Sequence, residues 1–269
     1  QTFDPLANCD DAFFITRTWT ATDNCGNEDV HTQTITVFDN TAPEFDVASV
    51  PTNETVECNA VPTPASPTAT DNCDNDVTIT YAEVRTDGAC ADNYTLTRTW
   101  TATDNCGNSI DAQQVITVQD TTDPVFDGAS VPTDETVNCE SVPAAASPTA
   151  TDNCDDDVTI TYIEVRTDGT CVDNYTLTRT WTATDNCSNA TQVTQIITVQ
   201  DIENPVLAGL PIDLTIECDA VPAAASPTAT DNCDNDVTIV FAETQTFDPL
   251  ANCDDAFFIT RTWTATDNC

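Results

Sequence analysis

An all-β chain of tandem β-sandwich domains, stacked end to end in a rod, is the architecture the sequence predicts. Three observations predict it. Segments recur along the chain, the cysteines Cys58, Cys73, Cys90 and Cys106 recur 81 residues later and a third time, with small insertions and deletions, at Cys218, Cys233, Cys253 and Cys269, and the strongest segments alternate apolar and polar side chains strictly. Repetition on this scale marks arrays of one folded unit. Two-residue alternation marks half-buried strands, and no segment carries a 3.6-residue period.

The elements follow in order along the copy that spans residues 40–120. It opens at the linker Asp39-Asn-Thr-Ala-Pro43, which has relatives at Asp120-Thr-Thr-Asp-Pro124 and Asp201-Ile-Glu-Asn-Pro205. Two weaker strands come first, Glu54 to Cys58 and Ala65 to Thr70, with Pro62, Pro64 and Pro67 confining the second to a sheet edge. Val77 to Val84 reads as a third strand. In Asn93 to Thr103, Tyr94, Leu96, Arg98, Trp100 and Ala102 face one way, and Thr95, Thr97, Thr99, Thr101 and Thr103 the other. Gln114 to Val118 closes the copy. Five short strands joined by Asp, Asn, Gly and Pro turns suggest an immunoglobulin-like sandwich. Because five is odd, each copy is expected to admit the chain at one pole and release it at the other.

The string TATDNC ends at Cys25, Cys73, Cys106, Cys154, Cys187, Cys233 and Cys269, and Gln1 to Cys25 is identical to Gln245 to Cys269. The chain therefore returns to its beginning after 244 residues. The expectation is a window on a longer periodic polymer, divided as 1–39, 40–120, 121–201 and 202–269. The first piece is the second half of a domain, and the last lacks a final strand that the next copy of 26–39 supplies.

Six Arg, no Lys and 46 acidic residues give a formal charge of −40. That balance argues against nucleic acid, which requires clustered cations, and against anionic membrane surfaces. No apolar run is long enough for a membrane helix. Fourteen cysteines point to an oxidising, extracellular or cell-surface setting. With no CxxC pair and His31 the only histidine, zinc is disfavoured.

Four cysteines per copy allow three pairings, and the strand layout selects among them. Cys90 and Cys106 lie at opposite ends of one strand, far beyond the Cα separation of about 6.8 Å that a disulfide tolerates. The expected bridges are Cys58–Cys90 and Cys73–Cys106, then Cys139–Cys171 and Cys154–Cys187, then Cys218–Cys253 and Cys233–Cys269. Cys9 and Cys25 are expected to find partners in a preceding copy.

Acidic residues gather where one copy meets the next. The set comprises Asp39, Asp71, Asp74, Asp76 and Asp104; Asp120, Asp123, Asp152, Asp155, Asp157 and Asp185; and Asp201, Asp231, Asp234, Asp236 and Asp267. Hard oxygen donors converging from several loops are what Ca²⁺ takes, so calcium is the expected cofactor at these junctions.

The segments Pro67 to Val77, Trp100 to Asn108 and Val118 to Pro124 resemble the hyalin-repeat (HYR-like) family in its four-cysteine form. That resemblance implies immunoglobulin-like domains in tandem, as in large surface proteins of bacteria, notably Bacteroidota, with an adhesive or structural role. The same segments are similar to the calcium motifs of cadherin repeats, a similarity that maps Asp71, Asp104 and Asp120 onto ligand positions. It leaves Asp87 and Asp92 as the only candidates for mid-domain acidic ligands.

Nothing forms a catalytic constellation, since His31 has no evident partner and the Asp71/Asp104 pair recurs in every copy. The tryptophans Trp19, Trp100, Trp181 and Trp263 read as core, and Arg98–Glu83 and Arg179–Glu164 as structural ion pairs. Asn53, Asn93, Asn174 and Asn189 begin possible glycosylation sequons. Residues 1–14 and 245–258, rich in Phe, are the most divergent stretch. The reading is a structural, non-enzymatic repeat of an extracellular filament whose partners are copies of itself. The alternative is the stalk or the glycan- or protein-binding region of a giant surface adhesin, with its tip ligand open.

Overall fold

In a computed structural model that describes residues 2–3, 9, 12–247 and 256–269, strands are the regular structure, joined by turns and irregular segments and by two 3₁₀ turns at 58–60 and 139–141. No helix among the described residues is long and apolar enough to cross a membrane. Two compact units appear. One holds residues 1–123 with the loops 152–158 and 185–189; the other holds 124–151, 159–184 and 190–269.

The first unit begins with the strands β1 (Thr2–Phe3), β2 (Phe13–Thr22) and β3 (Glu28–Val37), which form one antiparallel sheet. A complete sandwich follows. Strands β4 (Glu44–Phe45) and β6 (Ala69–Thr70) pair with each other, while β5 (Glu54–Glu57), β7 (Thr78–Asp87), β8 (Tyr94–Thr103) and β9 (Ser109–Gln119) form a sheet in the order β5-β9-β8-β7. Only β5 and β9 run parallel. The directions give five passes between the poles: β5, β7 and β9 ascend, whereas β8 and the segment leading through β6 descend. Prolines shorten the expected Ala65–Thr70 strand to its last two residues, while β7 and β9 run longer than alternation alone marked.

Alternation along β8 decides what is buried. Leu96, Arg98, Trp100 and Ala102 are buried, and the threonines between them face outward with partial exposure. The core is divided in two. Trp100 and Ala102 pack with Phe45; Leu96 packs with Ile116 and Val118. Between the clusters lies Arg98, whose Nε donates to Glu83 Oε2 at 2.7 Å and whose Nη2 donates to the Pro62 carbonyl at 2.7 Å. Glu83 and Arg98 are direct cross-strand partners, so the expected ion pair forms. Trp100 donates its Nε1 proton to the Ala65 carbonyl, which satisfies the indole and fixes the ring in the core.

The second unit repeats this plan. Strands β10 (Val125–Phe126) and β12 (Ala150–Thr151) pair, and β11 (Glu135–Asn138), β13 (Thr159–Asp168), β14 (Tyr175–Thr184) and β15 (Ala190–Gln200) form the sheet β11-β15-β14-β13. Trp181 and the Arg179–Glu164 pair hold the same places as their counterparts. Strands β16 (Val206–Ala208) and β17 (Thr228–Thr230) pair, as do β18 (Thr238–Phe247) and β19 (Phe257–Thr266). Residues 248–255, with Cys253 and most of the second Phe-rich stretch, lie outside the described residues, as do 1, 4–8, 10 and 11.

Among the described residues, five disulfides overturn the expected pairing: Cys9–Cys106, Cys58–Cys154, Cys90–Cys187, Cys139–Cys233 and Cys171–Cys269. Their sequence separations of 94–98 residues exceed the 81-residue repeat, so each joins one repeat to the next. The poles were assigned correctly: Cys58 and Cys90 lie at the exit pole, Cys73 and Cys106 at the entry pole. What fails is the premise that four cysteines must close on themselves. The linker returns the entry-pole loops 152–158 and 185–189 to the exit pole of the preceding sandwich. There Cys154 and Cys187 meet Cys58 and Cys90 at Cα separations of 5.8 and 5.2 Å. Cys58–Cys90, Cys73–Cys106, Cys139–Cys171, Cys154–Cys187 and Cys233–Cys269 are therefore not formed, and Cys9 bonds within this chain. Cys218–Cys253 falls on an undescribed residue.

Candidate metal centre at the repeat junction

The loops 23–27, 104–108 and 185–189, which follow the long central strands, are each shaped by their first aspartate. Asp185 Oδ1 accepts from the backbone N–H of Cys187 and of Asn189, at 2.8 and 2.9 Å, and its Oδ2 accepts from the Asn189 amide at 2.7 Å. Asp104 holds its own loop in the same way. The turn requires a left-handed residue at the fourth position. Gly26 and Gly107 supply it at φ 83° and 90°, whereas Ser188 adopts 76° despite its Cβ.

The neighbouring loop is held by Asp152, whose Oδ1 accepts from Cys154 and Asp155 N–H groups. Asp155 then bridges the two loops, accepting from Asp157 N–H on one oxygen and Asn186 N–H on the other. Asp74 and Asp234 do the same in their repeats. Asp74, Asp155 and Asp234 thus brace one loop against the other, whereas Asp104 and Asp185 spend their hydrogen bonds within their own loops. Asp76, Asp157, Asp236 and Asp123 are exposed.

The linker strand supplies the third element. Asp120 is 4% exposed, its N–H held by Asn93 Oδ1 at 2.7 Å. One oxygen each from Asp120, Asp152 and Asp185 lies within 4.8 Å of the others. Asp120 Oδ2 and Asp152 Oδ2 are buried with no hydrogen-bond partner, and so are Asp39 Oδ2 with Asp71 Oδ2 and Asp201 Oδ2 with Asp231 Oδ2. The same pair of orphaned oxygens thus recurs at every junction. Burial, then the Asp152 and Asp185 charges, push the Asp120 carboxyl up. Burial, Asp231, Asp267 and Asp173 do so for Asp201. Asp71 moves the other way, lowered chiefly by the backbone N–H groups of Asp74 and Cys73.

Glu57, which sequence reasoning missed, brings a further carboxylate oxygen within 4.8 Å of Asp120. Its position directly before Cys58 is the signal that was available. Thr121 fixes it, its hydroxyl donating to Glu57 Oε1 at 2.5 Å. In the next repeat that position is Asn138, and the linker carries Glu203 instead, joined to the Asn138 amide at 3.0 Å. The acid moves from strand end to linker and the junction keeps its carboxylate. Asp87 and Asp92 do not fill this place: Asp87 pairs with Arg85, and Asp92 accepts from Asn186. Cys154 and Cys233 adjoin these clusters but are disulfide-bonded, so their sulfurs are not ligands.

The sequons divide by chemistry. The Asn189 amide nitrogen donates to Asp185 Oδ2 and to the Asp120 carbonyl, so it belongs to the site and is not free for a glycan. Asn53, Asn93 and Asn174 use only their carbonyl oxygens in hydrogen bonds to backbone N–H groups.

Among curated proteins no relative is found. Among solved structures, protocadherin gamma B7 extracellular cadherin domains 1–4 are similar at 11% identity and a TM-score of 0.31, over 95% of this chain and 92% of that one. Drosophila N-cadherin EC1-4 is similar at 17% identity and 0.28, over 95% and 81%. Human mucin-like protocadherin EC1-2 gives 12% and 0.25, over 60% and 98%. The model of the HYR-like domain with 4 cysteines matches residues 46–118 and 128–199, more than half of the sequence, and the chain belongs to that family.

Proposed function

We propose that this chain is a structural repeat of an extracellular filament or surface stalk, in which successive sandwiches follow end to end with a 244-residue period. The observation that carries this reading is the disulfide pattern. Every described bridge links consecutive repeats, a use of covalent bonds that serves continuity along the array more than the stability of any single domain. Five disulfides also fit an oxidising, extracellular compartment.

The junction carboxylates are read as cation sites. At the Asp120 and Asp201 junctions the adjoining cysteines are disulfide-bonded and the donors left are oxygens, which favours a hard ion such as Ca²⁺ over zinc; beside Asp39 and Asp71 the sulfur of Cys73 also stands. Asp120, Asp152 and Asp185, with Glu57 beside them, would hold it and lock the loops of one repeat to the pole of its neighbour. The orphaned Oδ2 atoms support this reading, since a buried acceptor without a partner is costly unless something neutralises it.

Electron microscopy of native material tests the filament. An axial repeat of three sandwich lengths, about 110–130 Å at roughly 3.3 Å per strand residue, is expected; particles with no axial repeat would refute it. Terbium luminescence on the chain tests the cation sites, with displacement by Ca²⁺ expected and loss in Asp120→Asn.

A further inference from the structure

At the interior junction the carboxylates and the disulfides share their loops. Asp152 stands two residues before Cys154 and Asp185 two before Cys187, and each aspartate accepts from its cysteine's backbone N–H at 2.8 Å. Glu57 directly precedes Cys58. Across the joint Cys58 bonds Cys154 and Cys90 bonds Cys187. Beside them Asn186 Nδ2 donates to Asp92 Oδ2 at 2.6 Å, and Asn189 Nδ2 donates to the Asp120 carbonyl at 3.3 Å. Where these carboxylates are held therefore decides where the sulfurs are held.

The same four cysteines have a second way to pair. Val56, Val118 and Tyr94 form one row across β5, β9 and β8. Cys58 and Cys90 lie just past that row at one pole, two strand spacings apart, or about 10 Å. A shift of a few ångströms in the loop 88–93 brings them within disulfide reach. In the next repeat Asp155 Oδ2 accepts from the Asn186 N–H at 2.9 Å, which makes neighbours of the flanking Cys154 and Cys187.

Chain connectivity favours that second pairing. Cys58 and Cys90 are 32 residues apart and Cys154 and Cys187 are 33 apart, against separations of 96 and 97 in the observed bridges. Loops three times longer close about fivefold less often for each bridge. Charge adds to the difference, because the observed pairing brings oxygens of Asp120, Asp152 and Asp185 within 4.8 Å of one another. Asp120 is 4% exposed, and its Oδ2 is buried there with no hydrogen-bond partner.

We propose that Asp120, Asp152 and Asp185 select the disulfide partners by closing around a divalent cation. Sharing it, they hold loops 152–158 and 185–189 at the preceding pole, so that Cys154 meets Cys58 and Cys187 meets Cys90. Without it, each repeat closes on itself as Cys58–Cys90 and Cys154–Cys187. This deepens the cation reading of the junction and rests on it. Each bond forms by exchange with a low-molecular-weight disulfide. One cysteine thiolate attacks it and releases half as thiol; the second cysteine displaces the other half, so two cysteine thiols are oxidised and one small disulfide is reduced to two thiols. Both pairings contain the same number of bonds and differ only in partners.

The test reduces the full chain and reoxidises it in a glutathione buffer, with millimolar Ca²⁺ or with chelator at matched ionic strength. Non-reducing peptide mapping reads the interior junction. With Ca²⁺ the Cys58–Cys154 and Cys90–Cys187 peptides are expected to dominate. In chelator they should fall by about fivefold or more, with Cys58–Cys90 in their place. Asp120→Asn should give one pairing ratio in both buffers, since it removes a cation ligand and part of the repulsion together. Asp156→Asn removes an exposed charge of the same loop outside the cluster and should keep the parent's response. Inter-repeat pairing in equal yield with and without Ca²⁺ overturns the proposal, as does a calcium response that survives in Asp120→Asn. Terbium luminescence on the oxidised chain separates the two levels. Terbium binding alongside ion-independent pairing overturns partner selection alone, whereas no binding overturns the cation reading beneath it.

Discussion

Pulling the oxidised chain from its two ends measures what the cysteine pattern does under load. Cys9–Cys106, Cys90–Cys187 and Cys171–Cys269 overlap, so a covalent route from Cys9 to Cys269 crosses three disulfides. Along it the backbone steps back only 16 residues from Cys106 to Cys90 and 16 from Cys187 to Cys171. At about 3.3–3.6 Å per extended residue those segments reach about 110 Å. Three Cα–Cα spans of 4.7, 5.2 and 5.4 Å bring the limit to about 125 Å. The reduced chain between the same cysteines extends to about 900 Å. Optical tweezers with handles fused at both ends should find the oxidised chain unable to lengthen past the lower limit at any force that spares covalent bonds. Adding a phosphine reductant should release the difference in steps. If the oxidised chain instead lengthens by the better part of a repeat, about 270–290 Å per step, the bridges are not on the load path and the structural reading fails.

Other outcomes follow from the same geometry. With three carboxylate oxygens inside 4.8 Å, each pair repels by about 3.5 kcal/mol at an effective dielectric near 20 before solvent and side chains relax. Asp120→Asn should therefore stabilise the chain in chelator by about 1–2 kcal/mol, raising Tm by roughly 3–6 °C, and abolish the further rise that Ca²⁺ gives the parent; calorimetry in both buffers separates the two. The pH dependence carries the same signature. Asp120 and Asp201 have raised carboxyls, so their contribution in chelator is complete at acid pH and is lost as pH rises through their elevated range, and Ca²⁺ should reverse the trend. Glu83, held low first by the Arg98 hydrogen bond and then by Tyr81, contributes with the opposite sign, losing stability as pH falls through its depressed range. Arg98→Met leaves Glu83 and the Pro62 carbonyl without their donor; allowing for the partial exposure of Glu83, a loss of about 2–3 kcal/mol by chemical denaturation is expected. Ser188→Gly relieves a left-handed non-glycine residue and should add about 1 kcal/mol.

Strand identity and orientation were legible because β8 and β14 each present one apolar face, and nothing competes with a two-residue period there. The Arg98–Glu83 pair was legible for the same reason, since alternation places both on the face of the sheet that meets the core. Disulfide partners were not. Distance excluded the wrong pole of the same sandwich but said nothing about the next repeat, whose equivalent loops carry the same residues and arrive at the same place. Roles within the acidic set were no more legible. Asp155 and Asp185 look alike in sequence, yet one ties two loops together and the other holds its own loop beside Asp120 and Asp152. Glu57 escaped because its role depends on Thr121 of the linker folding back 64 residues later.

The overlap of the five bridges also governs what an endoprotease can do. Every peptide bond from Cys9 to Cys269 lies inside at least one disulfide loop. A single cut anywhere in that stretch, in a linker or an exposed turn, leaves both fragments attached through sulfur. The oxidised chain accumulates nicks without parting, and its persistence is set by reduction of its cystines instead of by the first hydrolysis of its backbone.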